Sequence, residues 1–292
     1  MYAARHKILK MLYERKVTVD EAEELLDTVE TQPRGPSIPK VEMVGESEWS
    51  QQFRKMLERI ATTESPVLIQ GETGTGKELI ARAVHYSSRR ANGPFNALSC
   101  ASSATMVDSE IFGHEAGAFT GAVRAKRGLL DTANGGSLML DSVDALAPQT
   151  QGKLISFLQN GCFTRLGGTK PVYADVRIIG ATHQDLKQSV DQGRFRSDLY
   201  HRLSVCFLQT APLRERLEDI PVLAKYHVEK QAERDGRNAP GISPEAEKIL
   251  REYAWPENVR ELAHVIQKAV VLCDGDAIMP DHLPGISGQG EG

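Results

Sequence analysis

Apolar residues follow two rhythms along the chain, and the change from one to the other divides it. Between residues 66 and 209, short apolar runs alternate with longer stretches of helical spacing: PVLIQ (Pro66 to Gln70), SLMLD (Ser137 to Asp141), VRIIGAT (Val176 to Thr182) and SVCFLQ (Ser204 to Gln209). Runs this short and continuous read as strands buried on both faces. Strands that alternate with helices predict a parallel sheet covered on both sides, an α/β/α arrangement of three layers. GPFNALS (Gly93 to Ser99) adds a further strand, and a helix over Glu48 to Ala61 follows Val44, Gly45 and Glu46. After Pro212 the strand rhythm stops. Helical spacing over Ile220 to Glu233, Pro244 to Tyr253 and Val259 to Leu272 predicts a small all-helical lid. Ser243 before Pro244, and Asn258 three residues before Glu261, hold the positions of helix N-caps.

Ahead of this body, Ile8, Leu9 and Leu12 form one helical face and Ala22, Leu25, Leu26 and Val29 the next. Thr18 and Glu21 have capping-box spacing at the start of the second helix. The first 30 residues therefore read as a short helical hairpin, too small to bury a core alone, whose apolar faces meet each other, the main body, a second copy or another protein. TQPRGPSIPK, residues 31–40, is a linker. The expected order is hairpin 1–30, linker 31–40, α/β domain 41–212, lid 213–285 and flexible glycine-rich tail 286–292.

Composition narrows the function classes. A formal net charge of -4 and a pI near 6.1 lack the basic bias of a dedicated nucleic-acid binder. Four cysteines without a CxxC pair fit buried thiols in a reducing compartment. No apolar stretch is long enough to span a bilayer and the first residues are too charged for a signal peptide, so a cytoplasmic protein without membrane contact is expected.

The chemistry concentrates in GETGTGKE, residues Gly71, Glu72, Thr73, Gly74, Thr75, Gly76, Lys77 and Glu78, between a strand and a helix. Glycines there admit positive φ and close backbone approach, so successive N–H groups can face phosphate oxygens while Lys77 reaches the outer phosphates. The spacing is that of a P-loop, with Glu78 where the general pattern has Ser or Thr. Ligands of parallel sheets bind at the carboxyl ends of the strands, which puts Gly71 to Lys77, Asp141 and Thr182 on one edge.

GETGTGKE, FGHEAGAFTGA, LMLD, GRFRSDLYHRL, PLRERLEDI and WPENVREL follow one another in order, and together they resemble the central AAA+ domain of bacterial enhancer-binding proteins, the ATPases that activate RNA polymerase carrying sigma-54. The resemblance covers residues from about 41 to 285. It implies a P-loop AAA+ fold, ATP and Mg²⁺ as ligands, a homo- or hetero-oligomeric ring, hexameric in the family, and the sigma-54 RNA polymerase holoenzyme as partner. Glu78 is tolerated in that family. By the same resemblance Asp141 holds Mg²⁺ and its waters, and Thr182 is the polar sensor, followed by His183 where Asn is more usual. Arg196 and Arg202 are arginine fingers that reach a neighbour's nucleotide. Arg260 contacts phosphate from the lid, and Arg165 lies at the subunit interface. Gly117, Ala118, Phe119, Thr120, Gly121 and Ala122 form the loop that touches sigma-54. The plainer alternatives are a helix cap for Asp141, surface ion pairs for the arginines and a Phe119 buried in the monomer.

Two departures bear on hydrolysis. The residue after Asp141 is Ser142, where the family has the Glu that activates water, and Ser99 stands where the family has the Asn that restrains that Glu. Loss of a general base removes about 10² to 10⁴ in rate, roughly 3 to 5 kcal/mol of barrier. Weak turnover is therefore expected unless Asp144, Glu115 or Glu78 substitutes. The alternative to an active ATPase is a nucleotide-bound regulatory subunit that acts on active relatives or on sigma-54. Many relatives carry a receiver domain before the module and a helix-turn-helix after it; the hairpin and tail match neither, so direct DNA binding is not expected of this chain.

Overall fold

The computed structural model describes residues 41–286. The hairpin and linker expected over residues 1–40, with the capping box at Thr18, lie outside the described residues, as does the tail after 286. No helix among the described residues is long and apolar enough to cross a membrane.

Ser47 starts the first helix, α1 (Glu48–Ala61), by accepting a hydrogen bond from the Ser50 N–H. Phe53, Leu57 and Ala61, spaced four apart, form its buried face. The chain then runs through β1 (Val67–Gln70), α2 (Lys77–Tyr86), β2 (Phe95–Ser99) and α3 (Ala104–Phe112). A small antiparallel pair follows, β3 (Gly113–His114) with β4 (Lys126–Arg127), and then α4 (Leu129–Thr132) and β5 (Ser137–Asp141). A 3₁₀ turn (Val143–Ala145) leads into α5 (Pro148–Asn160), the hairpin β6 (Cys162–Thr164) and β7 (Pro171–Tyr173), and β8 (Arg177–Thr182). The sheet part closes with α6 (Leu186–Asp191), α7 (Ser197–Leu203) and β9 (Cys206–Gln209).

Strands β2-β5-β8-β1-β9, in that spatial order, form one parallel sheet. Alternation along each strand sorts the core into two layers. Leu68, Leu138, Leu140 and Ile178 face α3, α5, α6 and α7, through Ile111, Leu154, Leu186 and Leu199. Val67, Ile69, Met139, Ile179 and Leu208 face α1 and α2. Two expectations change. The last strand starts at Cys206 rather than Ser204, and it is not buried: only Leu208 is, and Phe207 is 41% exposed, because β9 is an edge strand. The two small hairpins have no counterpart in the sequence reading, since strands of two or three residues carry no periodicity.

Beyond a 3₁₀ turn at Leu213–Glu215 come α8 (Asp219–Asp235), β10 (Gly241–Ile242), α9 (Pro244–Glu252), α10 (Asn258–Leu272) and β11 (Ala277–Ile278). The helices pack around the fully buried Trp255, whose indole N–H donates to Leu250 O at 2.8 Å. Ser243 caps α9 by accepting from the Ala246 N–H. A two-residue parallel pair, β10 with β11, ties the segment between α8 and α9 to the segment after α10.

Asp219 joins the lid to the start of the body. Its fully buried carboxylate accepts from the Glu46 and Ser47 N–H groups at 2.7 Å each, from the Ser47 hydroxyl at 3.0 Å and from the Ser50 hydroxyl at 2.6 Å. Buried Arg216 lies 3.7 Å from it and stacks over Trp49. Removing one partner of a buried charge pair costs about 3–5 kcal/mol. Asp219→Ala should therefore lower the thermal midpoint by roughly 6–20 °C, at about 2–4 °C per kcal/mol for a domain of this size; differential scanning calorimetry reads it, and an unchanged midpoint would contradict this account.

Candidate functional site

The loop after β1 is shaped by contacts that leave no room for side chains. A Cβ on Gly71 would lie 1.7 Å from the Thr210 hydroxyl, and one on Gly74 would lie 1.8 Å from Glu257 O. Gly74 and Gly76 have φ of +80° and +95°, which glycine adopts at little cost. Thr75, the polar anchor below the loop, donates to Glu72 O at 2.8 Å and accepts from the Thr210 hydroxyl at 2.9 Å. Gly76 precedes α2 with open space where its Cβ would be, and the first N–H groups of that helix have no partner within it. The Lys77 ammonium arches back to Gly71 O at 2.8 Å and Glu72 O at 2.9 Å. Burial lowers its pKa, opposed by the charges of Asp141 and Asp144, while Arg260 pushes it further down. Glu78 turns away to pair with Arg82 at 2.8 Å on the helix surface.

Register brings the acidic edge to this loop. Thr182 pairs with Gln70, the residue before Gly71, and Asp141 pairs with Ala181, so the ends of β1, β8 and β5 stand side by side. The Gly71 N–H donates to Thr182 O at 3.1 Å. Among the described residues the half-buried Asp141 carboxylate has no hydrogen-bond partner, and Ser99 sits beside it on β2. Ser142 has φ 57° and ψ 50°, a left-handed turn out of the strand. Two residues later Asp144 returns to the edge, where it accepts from the Thr182 hydroxyl at 2.5 Å. Burial, with the charges of Asp141 and Asp144, pushes the nearby Cys100 thiol up to about 12.

The other expected site residues lie apart from this edge. Arg196 is exposed and forms an ion pair with Asp198 at 2.9 Å, while Arg202 lies half-buried on the same helix, α7. Arg165 leaves β6 to bind Asp131 at 3.2 Å and Glu115 at 3.3 Å. Gly117 to Ala122 form a closed loop, with the Gly117 N–H donating to Ala122 O at 2.8 Å and the Ala122 N–H to Phe119 O at 3.0 Å. Phe119 is only half-buried and meets His114 edge-on at 5.0 Å; Thr120 and Gly121 are exposed, and Val123 is 85% exposed. The loop base is stitched to the β6–β7 hairpin by Glu115 N–H to Leu166 O and Leu166 N–H to Gly113 O, both 3.0 Å, and Ala118 sits against Gly167.

One sequence expectation is corrected by the lid contact. Asn258 is not an N-cap: Glu257 holds that position, and Asn258 is the first helical residue, fully buried, with φ 56°. Its side chain is used elsewhere. The carbonyl oxygen accepts from the Leu213 N–H at 2.7 Å, and the amide donates to Thr73 O at 2.9 Å and to Glu72 at 3.2 Å. Arg214 grips the same Glu72 carboxylate through two bonds, of 2.5 and 2.8 Å. That guanidinium, assisted by Asn258, lowers the Glu72 pKa to about 2. Sequence reading missed both Arg214 and Asn258, although PLRER and WPENVREL were in view, because their partner lies more than 140 residues away.

The parallel sheet, the glycine loop and the helical lid define a P-loop nucleotide-binding domain of the AAA+ class. Residues 43–209 match the sigma-54 interaction domain and residues 214–290 the AAA+ ATPase lid domain, and the chain belongs to the sigma-54 interaction domain family. It is 45% identical over 244 residues to the DNA-binding transcriptional regulator NtrC of Proteus hauseri, covering 83% of this chain and 52% of that protein. Regulatory protein AtoC of Escherichia coli is 46% identical over 227 residues, covering 77% and 49%. The crystal structure of NtrX from Brucella abortus in complex with ATP superposes with a TM-score of 0.79 at 35% identity, covering 96% of this chain and 60% of that one. The chain spans about half the length of the curated relatives it matches.

The lid contact is testable. Asn258→Ala leaves the Leu213 N–H unpaired in the interior and should destabilise the protein by about 1–3 kcal/mol in urea unfolding. Glu72 has its pKa depressed below the ordinary 4.5, so its contribution is present above pH 4.5 and is lost as pH falls toward 2. Wild type and Glu72→Gln should thus differ in stability at pH 6 and converge on acidification, with high salt shrinking the gap because the pair is half-exposed; a gap that widens in acid would refute the assignment.

Proposed function

We propose that this chain is a cytoplasmic, ATP-binding regulator of sigma-54-dependent transcription. The observation that supports it best is the meeting of Gly71, Thr182 and Asp141 at the ends of three neighbouring strands, with Lys77 at the start of the helix that follows the glycine loop. Gly71 to Lys77 would cradle the phosphates, and Arg260, whose Cβ would come within 3.2 Å of one on Gly74, would reach them from the lid. A Mg²⁺ ion fits the free Asp141 carboxylate, since it keeps several waters and takes only one or two protein carboxylates. When bound it neutralises charge on the phosphates. The loop Gly117 to Ala122 is the surface we assign to sigma-54 polymerase, with Thr120 and Val123 outermost. Arg196 and Arg202 are assigned to the nucleotide of a neighbour in a homo- or hetero-oligomeric ring, where an exposed guanidinium stabilises charge on the transferred phosphoryl group. The likeness to the transcriptional regulator NtrC and to NtrX in complex with ATP supports the same reading.

Ser142 favours a second reading, a subunit that binds ATP, hydrolyses little and acts through active relatives or on sigma-54 itself. Both readings share the nucleotide site. Titration with a fluorescent ATP analogue should give saturable binding that Lys77→Ala weakens about tenfold or more, a loss of at least about 1.4 kcal/mol. Capture of sigma-54 polymerase by the ATP-bound protein should fail for Thr120→Ala while nucleotide binding stays intact. Equal binding by wild type and Lys77→Ala would remove the basis of both readings.

A further inference from the structure

We propose that Asp144 supplies the carboxylate that residue 142 lacks, so that its free oxygen takes the proton of the water that attacks ATP; this rests on the ATP reading above. The backbone makes the substitution possible. Ser142, in its left-handed conformation, reverses the chain at the end of β5, and the 3₁₀ turn closes with the Ala145 N–H on Ser142 O at 2.9 Å. Val143, fully buried in the core, fixes that turn. Asp144 is thereby returned to the strand ends and locked there, its Oδ1 accepting from the Thr182 hydroxyl at 2.5 Å. Thr182 is itself joined to the phosphate loop through its carbonyl and the Gly71 N–H.

The placement has independent support. The Lys77 ammonium, at the start of α2, and the Cys100 thiol, just after β2, both feel the charges of Asp141 and Asp144 together. Oδ1 of Asp144 is held and Oδ2 has no partner among the described residues, which is the arrangement a base needs: oriented, and with a free oxygen. The competing carboxylates are committed elsewhere. Glu78 pairs with Arg82 and Glu115 with Arg165. The Ser142 hydroxyl is too weakly basic to take a proton near pH 7.

In the step we assign, the water oxygen bonds to the γ-phosphorus of ATP as the bond from that phosphorus to the β,γ-bridging oxygen breaks. The bonding electron pair leaves with ADP, the water proton passes to Asp144 Oδ2, and the acid then returns it to the released phosphate or to solvent. Thr182 is a positioning residue for this carboxylate.

The test uses the full chain, with ATP turnover measured over a range of protein concentrations beside the affinity for a fluorescent ATP analogue and the trapping of ADP with aluminium fluoride. Asp144→Asn, which is isosteric, should keep nucleotide affinity within about threefold and lose turnover by about 10² to 10⁴. It should also fail to trap ADP·aluminium fluoride, which mimics the transferring phosphoryl group. Adding Ser142→Glu to Asp144→Asn should restore at least about tenfold of the lost turnover, because the carboxylate returns at the other position. Thr182→Val should lower kcat and leave KM near its wild-type value, with Thr182→Ser restoring the rate. Wild-type turnover in Asp144→Asn would overturn the proposal. So would a wild type that binds ATP yet turns over only once Ser142→Glu is introduced, an outcome that leaves ATP binding standing. A wild type that does not bind ATP would overturn the proposal and the nucleotide reading together.

Discussion

One buried amide ties the lid and its entrance to the glycine loop. Asn258 uses both amide protons and its carbonyl oxygen on groups from two segments: the Leu213 N–H at the entrance to the lid, and the Thr73 carbonyl and Glu72 carboxylate in the glycine loop. It reaches all three because it adopts a left-handed conformation, which asparagine tolerates better than most residues, at the first position of α10. The lid is thus not merely packed behind the sheet. Its longest-range polar contacts end on the loop, and Arg214 adds a charge-assisted grip on the same carboxylate. Asp219 anchors the start of α8 to residues 46–50 at the start of α1, a second polar joint between the lid and the sheet domain.

The sheet domain contributes order of a different kind. In the spatial sequence β2-β5-β8-β1-β9, the strand that feeds the glycine loop lies beside the strand that ends in Thr182, which lies beside the strand that ends in Asp141. Residues more than 40 positions apart in the chain become neighbours through register alone. No long side chain has to reach across the edge. The loop Gly117 to Ala122 and the β6–β7 hairpin project from the helices on one face, joined by the Leu166 bridge, so a shift of one is felt by the other.

Much of this was legible in the sequence. Continuous apolar runs located β1, β5 and β8 closely, because a strand buried on both faces has no polar side to disguise it. Helix α1 was read over its full length from its apolar spacing, and Ser243 was recognised as a cap. What escaped notice shares one physical cause, dependence on distant partners. Asn258 has the look of a cap by local spacing, and only the fold reveals that its side chain faces Glu72 and Leu213. Cys206 to Gln209 read as a buried strand because the composition of an edge strand does not announce the missing neighbour. Asp144 was visible as a carboxylate near Ser142, but the turn that returns it to Thr182 depends on a positive φ at a serine, which no local pattern signals. Phe119 lies between the two expectations, half-buried with its ring edge-on to His114, a partner that no local pattern names.

The contact between Gly74 and Glu257 is unequal in what it asks of its two partners. Glu257 offers only its carbonyl, which every residue type possesses, whereas Gly74 must lack a side chain because that carbonyl occupies the space where a Cβ would be. The lid can therefore vary residue 257 across generations with little effect on the fit, while the loop cannot vary residue 74 at all without moving the lid. Sequence drift in this protein is free on one side of the joint and forbidden on the other.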